Sequence, residues 1–169
     1  MLRLQRWTPL KKNKVKNSAF IVFALLAIGG LLYLNFMTGK KAENVSSVIF
    51  TDQAPKPIGP YSQAFAKGNA VFVSGQVGID PATGGLDTSS IENETRQAMK
   101  NISAILTAAK LSVNDIVKTT IYLTDLSKFK TVNDIYGSYF KQNPPARETV
   151  QVTALPKGAH IEISCMAIH

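Results

Sequence analysis

The sequence has few of the residues that build disulfides and metal centres. It contains one cysteine, Cys165, so no disulfide can form within the chain. Cys165 continues an alternation with Ile161 and Ile163, which indicates a small buried hydrophobe; reactive thiols need an accessible, electropositive setting. The two histidines, His160 and His169, are too few for a metal site. We therefore expect no metal.

Acidic residues are absent from the first 41 positions. This leader carries eight basic residues: Arg3, Arg6, Lys11, Lys12, Lys14, Lys16, Lys40 and Lys41. The whole chain has 19 basic and 11 acidic residues and a net charge of +8, so the leader accounts for all of the excess. A neutral remainder lacks the basic surface that nucleic acid requires. We expect no nucleic-acid partner.

Charge of either sign is absent from Ala19 to Met37. A helix of this length, at ~1.5 Å per residue, spans nearly the whole ~30 Å hydrocarbon layer. The sequence thus predicts a basic N-terminal tail at 1–17, a transmembrane signal anchor at 18–38 and a linker at 39–47. More basic residues precede the apolar run than follow it, which favours a single-pass protein with a cytoplasmic N-terminus and an extracytoplasmic domain. A cleaved signal peptide, an organelle presequence and the inverted topology are the alternatives.

Hydrophobic periodicity in the remainder, 48–169, predicts an α+β sandwich with two helices on one face of the sheet. The predicted strands are 48–50, 70–75, 116–123 and two more within 143–162, and the predicted helices are 90–109 and 129–140. Three prolines in the segment APKPIGPYSQAF exclude a helix there and predict a rigid loop. Such a loop can hold Tyr61 and Gln63 still.

Residues 143–162 contain the two charges on which the functional interpretation depends, Arg147 and Glu162. Each lies in a strand whose alternate positions are apolar, namely Val150 and Val152 in the first and Ile161 and Ile163 in the second. If these apolar faces cover one core, both charges project from the opposite side of the sheet. A surface salt bridge is the alternative.

That opposite face is predicted to mix apolar and polar side chains: Phe72, Ser74, Arg147, Thr149, Gln151, Glu162, Ser164 and Met166. Such a surface suits a subunit interface with small wet sites, so we expect a homo-oligomer.

Several short motifs resemble one known family. They are IGPYSQ at 58–63, VSGQ at 73–76, VKTT at 117–120, VN at 132–133, PAR at 145–147, LPKG at 155–158 and IEI at 161–163. In this order and spacing, residues 48–169 resemble the RidA (YjgF) family of reactive-intermediate deaminases, also called enamine/imine deaminases.

The resemblance implies a chorismate-mutase-like fold with a mixed sheet, and a homotrimer with a ligand site at each subunit interface. It implies that Arg147 binds the substrate carboxylate and that Glu162 attends the hydrolytic water. Tyr61, Ser74, Gly75 and Asn133 match positions that line or order the pocket, and the backbone carbonyl of Thr149 matches a water contact. The implied reaction is hydrolysis of short 2-imino acids, the tautomers of enamines such as 2-aminoacrylate, to 2-keto acids and ammonia, with no metal or organic cofactor.

Two features depart from the family pattern. Glu148 and Thr149 stand where many members have Ser-Cys, and the loop before the PAR motif, 141–144, is short. A non-catalytic module that binds small carboxylates or regulates is the main alternative, because fold does not fix function. The presence of both Arg147 and Glu162 favours the enzyme. Chorismate mutase activity is less favoured, since the motifs have few further cations for a dicarboxylate.

Overall fold

The computed structural model describes residues 25, 26, 28–30 and 46–169, and the chain divides into two units, Met1–Lys41 and Ala42–His169. Residues 25, 26 and 28–30 are helical. Within the described residues no helix has the length and apolar character to cross a membrane, which takes about 20 residues. The predicted single-pass location is corrected by this finding. The predicted tail, 1–17, and most of the predicted anchor, 18–38, lie outside the described residues.

The described part of the second unit contains one six-stranded sheet and two α-helices. In chain order these are β1 Ser46–Ile49, β2 Ala64–Lys67, β3 Ala70–Gln76, α1 Ile91–Ala108, β4 Ile116–Leu123, α2 Phe129–Gly137, β5 Ala146–Gln151 and β6 Ile161–Ile168. The strand order is β1-β2-β3-β6-β4-β5. The β4–β5 pair is parallel and the other pairs are antiparallel. The sheet is therefore mixed, as predicted.

The core lies between the sheet and the two helices. Helix α1 begins after Ser90, whose Oγ accepts the N–H of Asn93 at 3.1 Å. The apolar stripe of α1 and the alternate residues of the central strands are fully buried. The helix contributes Ala98, Met99, Ile102, Ile105 and Leu106, and the strands contribute Val71, Ile121, Leu123, Ile161 and Ile163. Each large side chain of this kind contributes about 1.5–3 kcal/mol on burial. The predicted α+β fold with both helices on one face is confirmed.

The lone cysteine belongs to this core. Cys165 is 7% exposed and faces the helices beside Val73 and Thr119. Burial raises the pKa of its thiol to about 12. The prediction of a buried cysteine is confirmed.

Strand β2 was not predicted, because its first residues end the proline-rich segment assigned to a loop. It pairs with both β1 and β3, and the turn into β3 consists of Gly68 and Asn69. Gly68 has φ +61°, which glycine adopts without strain. A Gly-Asn pair between two apolar segments is a hairpin signal, so the turn before β3 is detectable in the sequence.

Helix α2 is shorter than the predicted 129–140. It ends at Gly137, where the Ser138 hydroxyl donates to the carbonyl of Ile135 at 2.6 Å. Tyr139 and Phe140 still pack against the core, which explains why the apolar pattern extends beyond the helix.

The two faces of β5 are reversed relative to the prediction. Val150 is 45% exposed, whereas Arg147 lies opposite the buried Thr119 of β4 on the helix-covered face. Thr119 identifies this face, because its hydroxyl accepts a hydrogen bond from Tyr136 of α2 at 3.0 Å. The valines therefore do not cover the core. At this edge of the sheet, the aromatic side chains of α2 lie beneath the arginine instead.

Candidate active site

A cleft of about 310 Å³ opens where β3 ends and β6 begins. Four predicted site residues line it: Tyr61, Ser74, Gly75 and Glu162. Most of the remaining lining is apolar and comes from the proline-rich segment, from residues 77 and 79, and from the turn before β6. The cleft has the size of a small-molecule site.

Glu162 lies directly against the backbone of β3. A Cβ atom at Gly75 would be 1.8 Å from Oε1 of Glu162, so only glycine leaves room for this carboxylate. The β3–β6 register shifts between Val73 and Gln76, which marks a bulge at Ser74 and Gly75. A bulge changes the direction of the strand next to a site. Burial raises the pKa of Glu162 above its ordinary value.

Ser74 and Tyr61 are held by local hydrogen bonds. The Ser74 hydroxyl donates to the carbonyl of Ser62 at 2.7 Å. The Tyr61 hydroxyl accepts the N–H of Ile58 at 3.3 Å, and the ring is half exposed. Both side chains are thus fixed at the cleft by one rigid segment.

Gln63 orders the proline-rich segment from within the core. It is 1% exposed, and its amide nitrogen lies 2.9 Å from the carbonyl oxygen of Thr51, 3.0 Å from that of Ala54 and 2.9 Å from that of Pro55. Its amide oxygen accepts the N–H of Thr51 at 2.7 Å. One buried side chain therefore supplies the hydrogen bonds that a proline-containing segment cannot make with itself.

The remaining three predicted residues form a separate cluster on the helix-covered face. Arg147 Nη2 donates to Asn133 Oδ1 at 2.8 Å, and its guanidinium carbon lies 5.0 Å from the ring centre of Tyr136 and 5.8 Å from that of Phe129. These are cation–π distances. Thr149 follows on the same face, and its buried hydroxyl has no hydrogen-bond partner within the described residues.

Arg147 and Glu162 do not converge within one chain. Glu162 lies opposite Tyr122 and between the buried Ile161 and Ile163, so it projects from the face that the helices leave open. Arg147 projects from the helix-covered face, and the strand spacings put the two Cα atoms about 14 Å apart. The prediction that both charges share one face is wrong, and a salt bridge between them in one chain is excluded.

Two lysines are the cations that line the cleft in the described part of the chain. Lys56 and Lys157 are both exposed. Lys157 has φ +62°, a conformation that is uncommon for a residue with a side chain. An exposed lysine is a mobile point charge and does not by itself define a carboxylate site.

Helix α1 contains buried polar residues that the sequence interpretation missed, among them Glu94 and Asn101. They lie seven residues apart, on the same helical stripe as the apolar Ala98 and Ile105. A polar residue at a predicted core position is a detectable signal, since such a group must find a buried partner.

Comparison with known proteins gives consistent results. A family model described as endoribonuclease L-PSP matches residues 51–169. A RutC family protein of Pyrococcus horikoshii is 50% identical over 123 residues, which cover 73% of this chain and 98% of that protein. The human 2-iminobutanoate/2-iminopropanoate deaminase is 48% identical over 124 residues, which cover 73% of this chain and 90% of that protein.

Solved structures agree with these matches. The YjgF gene product of E. coli superposes with a TM-score of 0.71 at 42% identity, over 73% of this chain and 99% of the other. A Rid family protein of Yersinia pestis superposes with a TM-score of 0.72 at 49% identity, over 74% of this chain and 100% of the other. The relatives confirm the predicted class, a 2-iminobutanoate/2-iminopropanoate deaminase-like hydrolase. By motif, fold and sequence identity, the chain belongs to the endoribonuclease L-PSP family, to which the RidA deaminases are assigned.

Proposed function

We propose that the chain hydrolyses short 2-imino acids, the tautomers of reactive enamines such as 2-aminoacrylate, to 2-keto acids and ammonia. The observation that carries this proposal is the Glu162 carboxylate, half-buried against Gly75 in a small cleft. The names of the curated relatives support the same reaction class. No metal or organic cofactor is needed for this reaction.

Glu162 is suited to transfer protons from the attacking water to the imine nitrogen. Water attacks C2 of the imine, a C–O bond forms, and the C=N electron pair moves to nitrogen. The Glu162 carboxylate takes one proton from the water and gives it to nitrogen, which produces a carbinolamine. It then takes the hydroxyl proton of the carbinolamine and passes it to nitrogen, so that ammonia leaves as the C=O bond forms and the carboxylate is regenerated. A base whose pKa lies closer to neutrality than that of an ordinary carboxyl is better matched to both transfers.

Arg147 is suited to bind the substrate carboxylate. Its guanidinium can donate two parallel hydrogen bonds to one carboxylate, which a lysine cannot reproduce. Asn133 and the ring of Tyr136 hold the guanidinium in place before substrate arrives. Such pre-organisation lowers the entropy lost on binding.

A complete site requires a second copy of the chain, because one chain presents the two charges on opposite faces. We propose a homotrimer in which Arg147 of one subunit approaches the Glu162 cleft of the next. A head-to-tail contact of this kind closes into a ring, and three copies give three equivalent sites.

The open face of the sheet offers a surface for such assembly. Val48, Phe65 and Phe72 are neighbours on adjacent strands, and they are 61%, 43% and 48% exposed. Met166 continues this stripe on β6. A contiguous exposed apolar stripe is typical of a protein–protein interface.

The proposed function is tested by release of ammonia and 2-keto acid from freshly generated 2-aminoacrylate. We expect the purified full-length chain to accelerate release above the rate in buffer. No acceleration, combined with binding of a 2-keto acid, would favour the non-catalytic carboxylate-binding module. Cleavage of RNA without imine hydrolysis would also contradict the proposal.

The fall of kcat/KM at low pH, the acid limb of the pH profile, is expected to have its midpoint above the ordinary pKa of glutamate. Glu162 acts as a base only when ionised, and burial raises its pKa, so kcat/KM falls as pH is lowered through that raised value. We expect the limb to be absent from the low residual activity of Glu162→Gln. Initial rates between about pH 4 and pH 8, corrected for the buffer reaction, measure it. A midpoint at or below the ordinary glutamate pKa would contradict the assignment.

Gly75→Ala is expected to lower kcat by about 100-fold, because a displacement of the order of 1 Å at a reacting group has this effect. The added Cβ occupies the place of the Glu162 carboxylate, which must move. Gly137→Ala is the matched control, since a Cβ there meets nothing within 4 Å. Steady-state kinetics of both variants measure the effect, and a Gly75→Ala enzyme with wild-type kcat would show that the position of this carboxylate is unimportant.

A further inference from the structure

The buried carboxylate of Glu94 holds the beginning of β6. Glu94 is fully buried, and its Oε1 accepts the N–H of His160 at 2.7 Å and the N–H of Ile161 at 3.3 Å. Its Oε2 lies 3.0 Å from Nδ1 of His160. Ile161 immediately precedes Glu162 in the chain. A helix side chain that does not line the cleft therefore fixes the backbone from which Glu162 projects.

Asn101, two turns along the same face of α1, holds the other wall of the cleft. Its Nδ2 donates to the carbonyl of Val77 at 3.1 Å and to that of Ile79 at 2.9 Å. Val77 and Ile79 line the cleft, whereas Asn101 does not. Its Oδ1 accepts from Gln97 Nε2 at 2.8 Å, which fixes the orientation of the amide.

Gly78 brings these two attachments together. A Cβ at Gly78 would lie 2.5 Å from Cγ of Glu94, so the segment between Val77 and Ile79 rests directly on α1 beside the buried carboxylate. Both walls of the cleft are thus tied to one helix, at points seven residues apart.

We propose that Glu94 and Asn101 are positioning residues for the imine hydrolase reaction, an inference that rests on the proposed function. Glu94 places Glu162 on Gly75 through the N–H groups of His160 and Ile161. Asn101 sets the apolar wall that contacts the substrate. The two roles differ in their kinetic effect, because Glu94 acts on the group that moves the proton and Asn101 acts on the surface that binds.

Glu94→Ala in the full-length chain is expected to lower kcat by about 10–100-fold and to change KM by about twofold or less. The acid limb of kcat/KM moves to lower pH, because Glu162 is no longer held against β3 and becomes better hydrated. The other titratable groups that line the cleft, Tyr61, Lys56 and Lys157, are unchanged in this variant.

Two further substitutions separate positioning from general destabilisation. Glu94→Gln keeps an oxygen for both backbone N–H groups and should retain kcat within about threefold. Glu92→Ala removes an exposed carboxylate from the same first turn of α1 and should leave kcat, KM and the pH profile unchanged. If Glu94→Ala does not fold, Glu94→Asp retains the charge with a shorter reach and should show the same changes at about 5–10-fold.

Asn101→Ala is expected to give the complementary result. With residues 77–79 released from α1, KM rises by about tenfold while kcat stays within about threefold. Asn93→Ala, at an exposed asparagine of the same helix, is the matched control. A fall in kcat at constant KM in Asn101→Ala would overturn its assigned role.

The outcomes distinguish this proposal from the proposed function. If the wild-type chain hydrolyses imines and Glu94→Ala keeps both its kcat and its acid limb, the positioning role is wrong and the function stands. If the wild-type chain is inactive, the proposed function is wrong. Amide hydrogen exchange over residues 160–163 then tests whether Glu94 holds the beginning of β6. Faster exchange in Glu94→Ala than in Glu92→Ala supports the attachment, and equal exchange overturns it.

Discussion

Arg147→Lys is expected to lower kcat/KM for 2-imino acids by about 100-fold, while the protein remains folded and assembled. Lysine keeps the charge but loses the planar fork that donates two hydrogen bonds to a carboxylate. It also loses the contacts that hold the guanidinium over Tyr136 and beside Asn133, so less of the side chain is pre-organised. The transition state is stabilised less, because a poorly held substrate does not orient its C2 atom for attack by the water.

Arg96→Lys is the matched control, since Arg96 is an exposed arginine of α1 outside the cleft and outside the Arg147 cluster. Initial rates of keto-acid release compare the two variants, and light scattering checks their assembly. Wild-type kcat/KM in Arg147→Lys would reject the proposed carboxylate contact. A large loss in Lys157→Ala under the same conditions would then assign that contact to Lys157.

Recovery of activity on mixing two inactive variants is the second large effect expected. Glu162→Gln and Arg147→Lys should each retain about 1% of wild-type activity or less, because each removes one essential group. If every site takes Arg147 from one subunit and Glu162 from the next, hybrids contain sites in which both groups are intact. Random co-assembly in equal amounts gives about a quarter of such sites.

The matched control is a mixture of the wild-type chain with the double variant Arg147→Lys, Glu162→Gln. Sites shared between subunits give about a quarter of wild-type activity in both mixtures. Sites within one chain give almost no activity in the mixture of single variants and about half of wild-type activity in the mixture with the wild-type chain. Co-expression of two full-length chains with the same tag, in equal amounts, followed by a purification that retains homotrimers together with hybrids, provides the random assemblies. The second pattern would contradict a site shared between subunits.

The long amphipathic helix and the central strands could be predicted because each carries a strong, unambiguous period. Ile102, Ile105 and Leu106 repeat at helical spacing, and Ile161 and Ile163 alternate on β6. Strand β2 was missed because it begins in the last residues of the proline-rich segment, and only its Gly-Asn turn identifies it. Short strands whose pairing depends on distant residues carry little local signal.

The direction of Arg147 could not be predicted from alternation alone. In β5, the polar residues of one face alternate with Glu148 and Val150 on the other, so either face is a reasonable candidate for burial. The structure places the arginine over Tyr136 and Phe129, where its flat guanidinium covers apolar rings and its edge remains polar. A binary division into apolar and polar residues does not represent this behaviour.

Much of the cleft was predicted from motifs, but the buried hydrogen bonds that hold its walls were not. Tyr61, Ser74, Gly75 and Glu162 come together as the resemblance implies. The buried attachments made by Gln63, Glu94 and Asn101 depend on which backbone carbonyl or N–H group each side chain meets across the fold, and spacing along the sequence does not contain that information. The predicted membrane anchor shows a related limit of sequence reasoning. An uncharged apolar run of about 20 residues meets the length criterion for a membrane helix through its composition alone.

The burial of Cys165 has a consequence for the conditions in which the protein can work. A sulfhydryl that loses its proton only near pH 12 supplies almost no thiolate at neutral pH, and thiolate is the form that oxidants and electrophiles attack. Because this is the chain's sole cysteine, we expect the folded domain to need no reductant to protect its thiol.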